Sequence, residues 1–138
     1  MKTTTGHVNT SVEIRQLELV RLRIGYINEC PFAINLHYNE LKSLGETDYK
    51  LLLVSVWREA PHFSEKEIAL FTLTDYIISY ENDMRPENVF ALLKPHFNKE
   101  QITTLTQVVK QIDLWTRSIK HLKLITTCKN KVTKNVVI

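Results

Sequence analysis

Cys30, His37 and Glu18 are the side chains whose types and spacing could do chemistry in this sequence. Cys30 stands directly before Pro31, and a helical pattern follows it as far as Gly45. Proline suits the first helical position because its missing N–H has no intrahelical partner there, and glycine suits the position just past a helix end. Cys30 is thereby placed at a helix N-terminus, where unpaired N–H groups and the helix dipole favour a thiolate. His37 comes seven residues later, on the same face as Cys30 and Ala33. At about 1.5 Å of rise per residue the two lie roughly 10 Å apart along the axis, too far for a direct hydrogen bond in a regular helix. Position 33 is one turn from His37 and within its reach, but it holds alanine. Each candidate also has a plain reading. A cysteine at a helix start can be a small buried hydrophobe, His37 a satisfied histidine, and Glu18 the partner of a neighbouring arginine.

The elements that must position these residues read as helices throughout. Ser11 is the expected N-cap of a helix through about Asn28. Leu17, Val20, Ile24 and Ile27 form one apolar stripe on it and Leu19, Leu22 and Tyr26 a second, which predicts cover on two sides. Glu18, Arg21, Gly25 and Asn28 share the remaining face. The second helix runs from Pro31 to Leu44 with Ile34, Leu41 and Leu44 toward the core. Thr47 caps a third through Glu59, with Tyr49, Leu52, Leu53, Val56 and Trp57 as its apolar residues, and Ala60-Pro61 breaks it. Ser64 and Glu67 form a capping box for a central fourth helix to about Tyr80. Pro86 begins a shorter helix that Pro95 ends. Asn98 with Gln101 opens a long one to about Lys123, along which Ile102, Leu105, Val108, Val109, Ile112, Trp115 and Ile119 recur at helical spacing. Three glycines in the whole chain agree with an all-α domain.

Composition narrows the function classes. A chain of 138 residues is one domain with room for a real core. A net charge of +3 is too small to argue for nucleic acid, and no apolar run is long enough for a membrane helix. The start, MKTTTGHVNT, has no apolar h-region, so a cytoplasmic protein without a signal peptide is expected. Cys30 and Cys128 do not make a disulfide framework. His7, His62, His96 and His121 lack ligand spacing, and no phosphate, flavin or nicotinamide fingerprint is present, so neither metal nor cofactor is expected.

These stretches together resemble the carboxymuconolactone decarboxylase family, in its alkylhydroperoxidase D-like branch. That family carries a Cys-x-x-Cys-x-x-x-His run with a glutamate twelve residues before the first cysteine, then a Trp-Arg-Glu block; the matching positions are Glu18, Cys30, His37 and Trp57-Arg58-Glu59. The resemblance covers roughly Glu13 to Leu122. Ala33 stands where the pattern has its second cysteine, so an internal disulfide at this site is ruled out. The resemblance implies a single all-α domain of about six helices, over 11–123; outside it, the polar composition of 1–10 reads as a flexible stretch and the β-branched, lysine-rich 124–138 as a tail or oligomer arm. It also implies a homo-oligomer, a trimer or hexamer. Three functions follow from it. In the first, Cys30 is a one-cysteine peroxidase centre, oxidised by a hydroperoxide and restored by an external thiol, with Glu18 and His37 relaying protons. In the second, His37 and Glu18 perform acid–base chemistry on a small lactone acid, as in the decarboxylase branch. In the third, the fold persists as a binding or assembly protein without catalysis. Trp57 and Trp115 read as core, and Arg58 with Glu59 as an intersubunit pair or a solvated face.

Overall fold

A computed structural model describes residues 12–78 and 84–122. Six α-helices and one 3-10 segment make up these residues, and no strand occurs among them. They are α1 (Ile14–Ile27), α2 (Pro31–Ser43), α3 (Asp48–Leu53) continued by the 3-10 segment Val54–Glu59, α4 (Glu65–Ile78), α5 (Pro86–Leu93) and α6 (Lys99–His121). Among the described residues no helix is long and apolar enough to cross a membrane.

α1 is the spine, and its two apolar stripes enter two different cores. Val20 and Ile24, flanked by Leu17 and Ile27, pack with Leu70 and Leu73 of α4, Val89 and Leu93 of α5, and Leu105 and Val109 of α6. Leu19 and Leu22, with Tyr26 beside them, pack with Leu41 of α2, Leu51 of α3, Val54, Trp57 and Phe71. The third face of α1 meets α2 closely. A Cβ at Gly25 would come to 3.3 Å from Ile34 Cγ1 and 3.4 Å from the Ala33 Cβ, so the small residue is what lets the two helices approach here.

Several expected helix starts are present. Lys50 N–H donates to Thr47 Oγ1 at 3.2 Å, and reciprocal bonds join Ser64 to Glu67 and Asn98 to Gln101. The cap of α1 is Glu13, whose N–H donates to Gln16 Oε1 at 3.3 Å; Ser11 lies outside the described residues, as do 79–83 and the tail from 123 onward with Cys128.

The third helix departs from expectation. It passes into a 3-10 segment after Leu53, with Val56 at φ −127° and ψ 39°. The change of winding turns Leu51, Val54 and Trp57 inward, while Tyr49, Leu52 and Val56 face outward. A buried carboxylate accounts for the turn. Asp75 of α4 is 3% exposed and accepts from Arg23 Nε and Nη2 at 2.8 and 2.9 Å, Arg58 Nη1 at 2.6 Å and Trp57 Nε1 at 3.2 Å. Arg23 Nη1 donates in turn to the carbonyls of Val54 and Ser55. Arg58, half exposed as a solvated face would have it, also closes an ion cluster within the chain and lies over the Trp57 ring at 4.6 Å. Trp115 also differs: it is 39% exposed and meets Phe32 at a centroid distance of 6.1 Å, while Thr116 occupies the buried position beside it.

Candidate functional site

The site is built where α1 reverses into α2. Cys30 N–H donates to the Gly25 carbonyl and Glu29 N–H to that of Tyr26, the bond pair by which a helix commonly ends in a left-handed residue. That residue is Glu29, at φ 49°, a conformation usually left to glycine. The reversal makes Cys30 the N-cap of α2 with Pro31 at its first turn. Asn28 fastens this corner to α6: its amide donates to Asp113 Oδ1 and Thr116 Oγ1, both at 2.8 Å, and its carbonyl accepts from Lys120 Nζ at 2.9 Å.

Cys30 is fully buried, enclosed with Ala33 and Ile119 and flanked by Phe32. Its side chain makes no capping hydrogen bond. The helix N-terminus is present as expected, but the thiol faces apolar neighbours, and that position weakens the case for attack on a dissolved peroxide.

His37 and Glu18 do come together. Two turns along α2, the His37 ring is 6% exposed and its Nδ1 lies 2.7 Å from Glu18 Oε1. The other carboxylate oxygen, Oε2, accepts from Arg21 Nη1 at 2.7 Å. Glu18 therefore satisfies both readings of the sequence, one oxygen on the histidine and one on an arginine. Burial pushes the Glu18 carboxyl up, but the hydrogen bonds and charges of His37 and Arg21 outweigh it, so its pKa is lowered. An ionised carboxylate can only accept, so the proton between the two residues sits on Nδ1. Nε2 is buried and has no hydrogen-bond partner. The bond at Nδ1 holds the ring still and fixes the direction in which Nε2 points.

Among the described residues no three His, Cys, Asp or Glu side chains gather to hold a metal. A groove of about 510 Å³ lies elsewhere, between α4, α5 and α6, with Leu73, Val89, Phe90 and Lys110 on its walls; it is remote from the dyad in the fold. Glu18, Cys30 and His37 were visible as residue types at suggestive spacings. Asp75 was not, because an aspartate in a helix gives no local signal of the arginines that will reach it from other elements.

The chain matches the carboxymuconolactone decarboxylase family over residues 2–76, a span that contains Glu18, Cys30, His37 and Asp75. It is 26% identical over 108 residues to the uncharacterised protein YdfG of Bacillus subtilis (strain 168), covering 78% of this chain and 74% of that one. A crystal structure from Agrobacterium tumefaciens, of a protein of unknown function suggested to be the antioxidant defence protein AhpD, superposes with a TM-score of 0.76 at 30% identity, covering 88% of this chain and 84% of that one. By sequence match and by fold together, the chain belongs to the carboxymuconolactone decarboxylase family.

Proposed function

We propose that this protein is an acid–base enzyme of the family, in which His37 Nε2 transfers a proton on a small lactone acid. The observation that carries the reading is the 2.7 Å contact from His37 Nδ1 to Glu18, with Nε2 buried and free of any partner. A buried unpaired ring nitrogen is costly, and a bound substrate proton would satisfy it. In the reaction the substrate carboxylate loses carbon dioxide as the bond to the carboxyl carbon breaks, and the carbon that keeps the electron pair receives a proton delivered through His37 Nε2, which solvent restores. No oxidant or reductant is needed. The test is carbon dioxide release from a panel of γ-carboxy lactone acids. His37→Gln is expected to fall to background; a panel with no turnover by the wild-type protein overturns the reading.

The second reading is a one-cysteine peroxidase, supported by Cys30 at a helix N-terminus and by the suggested role of the Agrobacterium relative. Here the Cys30 thiolate attacks the distal peroxide oxygen, the O–O bond breaks to release an alcohol, and the resulting sulfenic acid is reduced by two external thiols to water and a disulfide. In a Cys128→Ser background, a gain of one oxygen at Cys30 with coupled thiol consumption supports it. A thiol that stays reduced in millimolar peroxide dismisses it. The exposed Tyr49, Leu52, Leu114 and Trp115 support assembly of a homo-oligomer in either case, which light scattering would measure.

A further inference from the structure

The groove of about 510 Å³ between α4, α5 and α6 is walled by one face of each helix. Its α6 wall is Ile102, Thr106 and Lys110, spaced four apart and so stacked along one side of the helix. The buried Leu73, Val89 and Leu93 belong to the core beneath, while Phe90 is 43% exposed. A hollow of this size with mainly apolar walls and few polar groups suits a small ligand. Among the described residues Lys110 alone brings a charge to the walls, and it is exposed and without an ion pair. The acids of the three wall helices are engaged or distant. Asp75 faces its arginines, Asp113 is held by Asn28 and Arg117, and Glu67 by Lys50. Glu87 lies 3.8 Å from Arg85, and Glu65 and Glu100 stand in the first turns of α4 and α6. The Thr106 hydroxyl donates to the Ile102 carbonyl at 2.8 Å, so it has no proton left to offer a ligand.

We propose that this groove binds a free medium-chain carboxylate, with its alkyl chain against Leu73, Val89 and Phe90 and its head group on Lys110 Nζ. One unpaired ammonium at an apolar hollow matches one negative charge on an apolar tail. A phosphate ester would call for the forked donors of an arginine or a second cation, and the walls carry neither among the described residues. From Ile102 to Lys110 the α6 wall runs roughly 12 Å, at about 1.5 Å per residue, which is room for an extended chain of the decanoate kind. Burial of the chain supplies the affinity, and the lysine selects the charged head over an alcohol. The site is remote from the dyad and owes nothing to the reading of His37.

Calorimetric titration of the full chain with decanoate, kept below the concentration at which it aggregates, tests this, with decanol as the uncharged match. Saturable binding of one decanoate per chain is expected. Lys110→Gln should weaken decanoate about fivefold, the size of a partly exposed ion pair, and leave decanol unchanged. Phe90→Ala should weaken both ligands. Wild-type protein that shows no saturable binding of decanoate overturns the proposal, as does a Lys110→Gln protein that binds decanoate as tightly as the wild type. Should Phe90→Ala fail to fold, the exposed Lys110→Gln still decides. Light scattering on the same samples reports the rival occupant: a wild-type oligomer that ignores decanoate and dissociates in Phe90→Ala would place a second copy of the chain in the groove and overturn the proposal.

Discussion

Glu18 of α1 and His37 of α2 meet across the helix pair with Oε1 and Nδ1 2.7 Å apart, nineteen positions apart in the chain. The contact needs the close approach that Gly25 permits, since a side chain there would press on Ile34 and Ala33. Packing and chemistry are thus coupled at one corner.

The Glu18 carboxylate ties stability to pH. Its pKa in the folded chain lies below its ordinary value of 4.5, so as the solution is acidified the unfolded chain takes up the proton first. The stabilisation is complete above about pH 4.5 and is lost as pH falls through the lower, folded value. Denaturation curves between neutral pH and pH 3 on wild type and Glu18→Gln should show a shallower acid decline in the variant. Parallel curves would show that Glu18 gains nothing from its partners.

A thiol at position 33 should pair with Cys30. Both positions are fully buried and adjoin one another at the first turn of α2. Ala33→Cys with Cys128→Ser is expected to form an internal disulfide under mild oxidant, read as a loss of two mass units. Two free thiols under those conditions would mean that the side chains cannot adopt disulfide geometry.

Glu29 holds a left-handed backbone at φ 49° that costs any residue with a Cβ. Glu29→Gly should raise stability by about 1 kcal/mol, less a part for the greater freedom of glycine in the unfolded chain. Urea titration would detect this as a higher midpoint with unchanged slope; a lower midpoint would show that the Glu29 side chain contributes more than its backbone costs.

Asp75 is the structural counterpart of the dyad. Replacing it with asparagine would leave Arg23, 13% exposed in its side chain, facing a neutral group where it now has a bidentate carboxylate. A loss of about 3 kcal/mol is expected, typical of breaking a buried ion pair. The Glu18–His37 contact should be untouched, since Asp75 serves α1, the 3-10 segment and α4 rather than the α1–α2 corner. Urea titration measures the loss; an unchanged midpoint would show that the Asp75 ion pairs contribute nothing net.

Local signals determined much of the architecture. The capping pairs Ser64–Glu67 and Asn98–Gln101, the prolines at 31 and 86, and the two stripes of α1 act within a few residues of themselves, so their sequence spacing already contains their structure. The nature of the site residues was legible for the same reason: Cys30 before Pro31, and His37 one turn beyond position 33. Tertiary structure decided the rest. Whether Cys30 is open or enclosed depends on Ile119, eighty-nine positions away, and whether Glu18 meets arginine, histidine or both depends on how α2 crosses α1. The inward turn of Val54 and Trp57 follows from Asp75 drawing Arg58 and the Trp57 ring toward α4, which no periodicity in residues 47–59 could announce. Helix starts are set by neighbours along the chain; the protonation and burial of a side chain are set by whatever the fold brings against it.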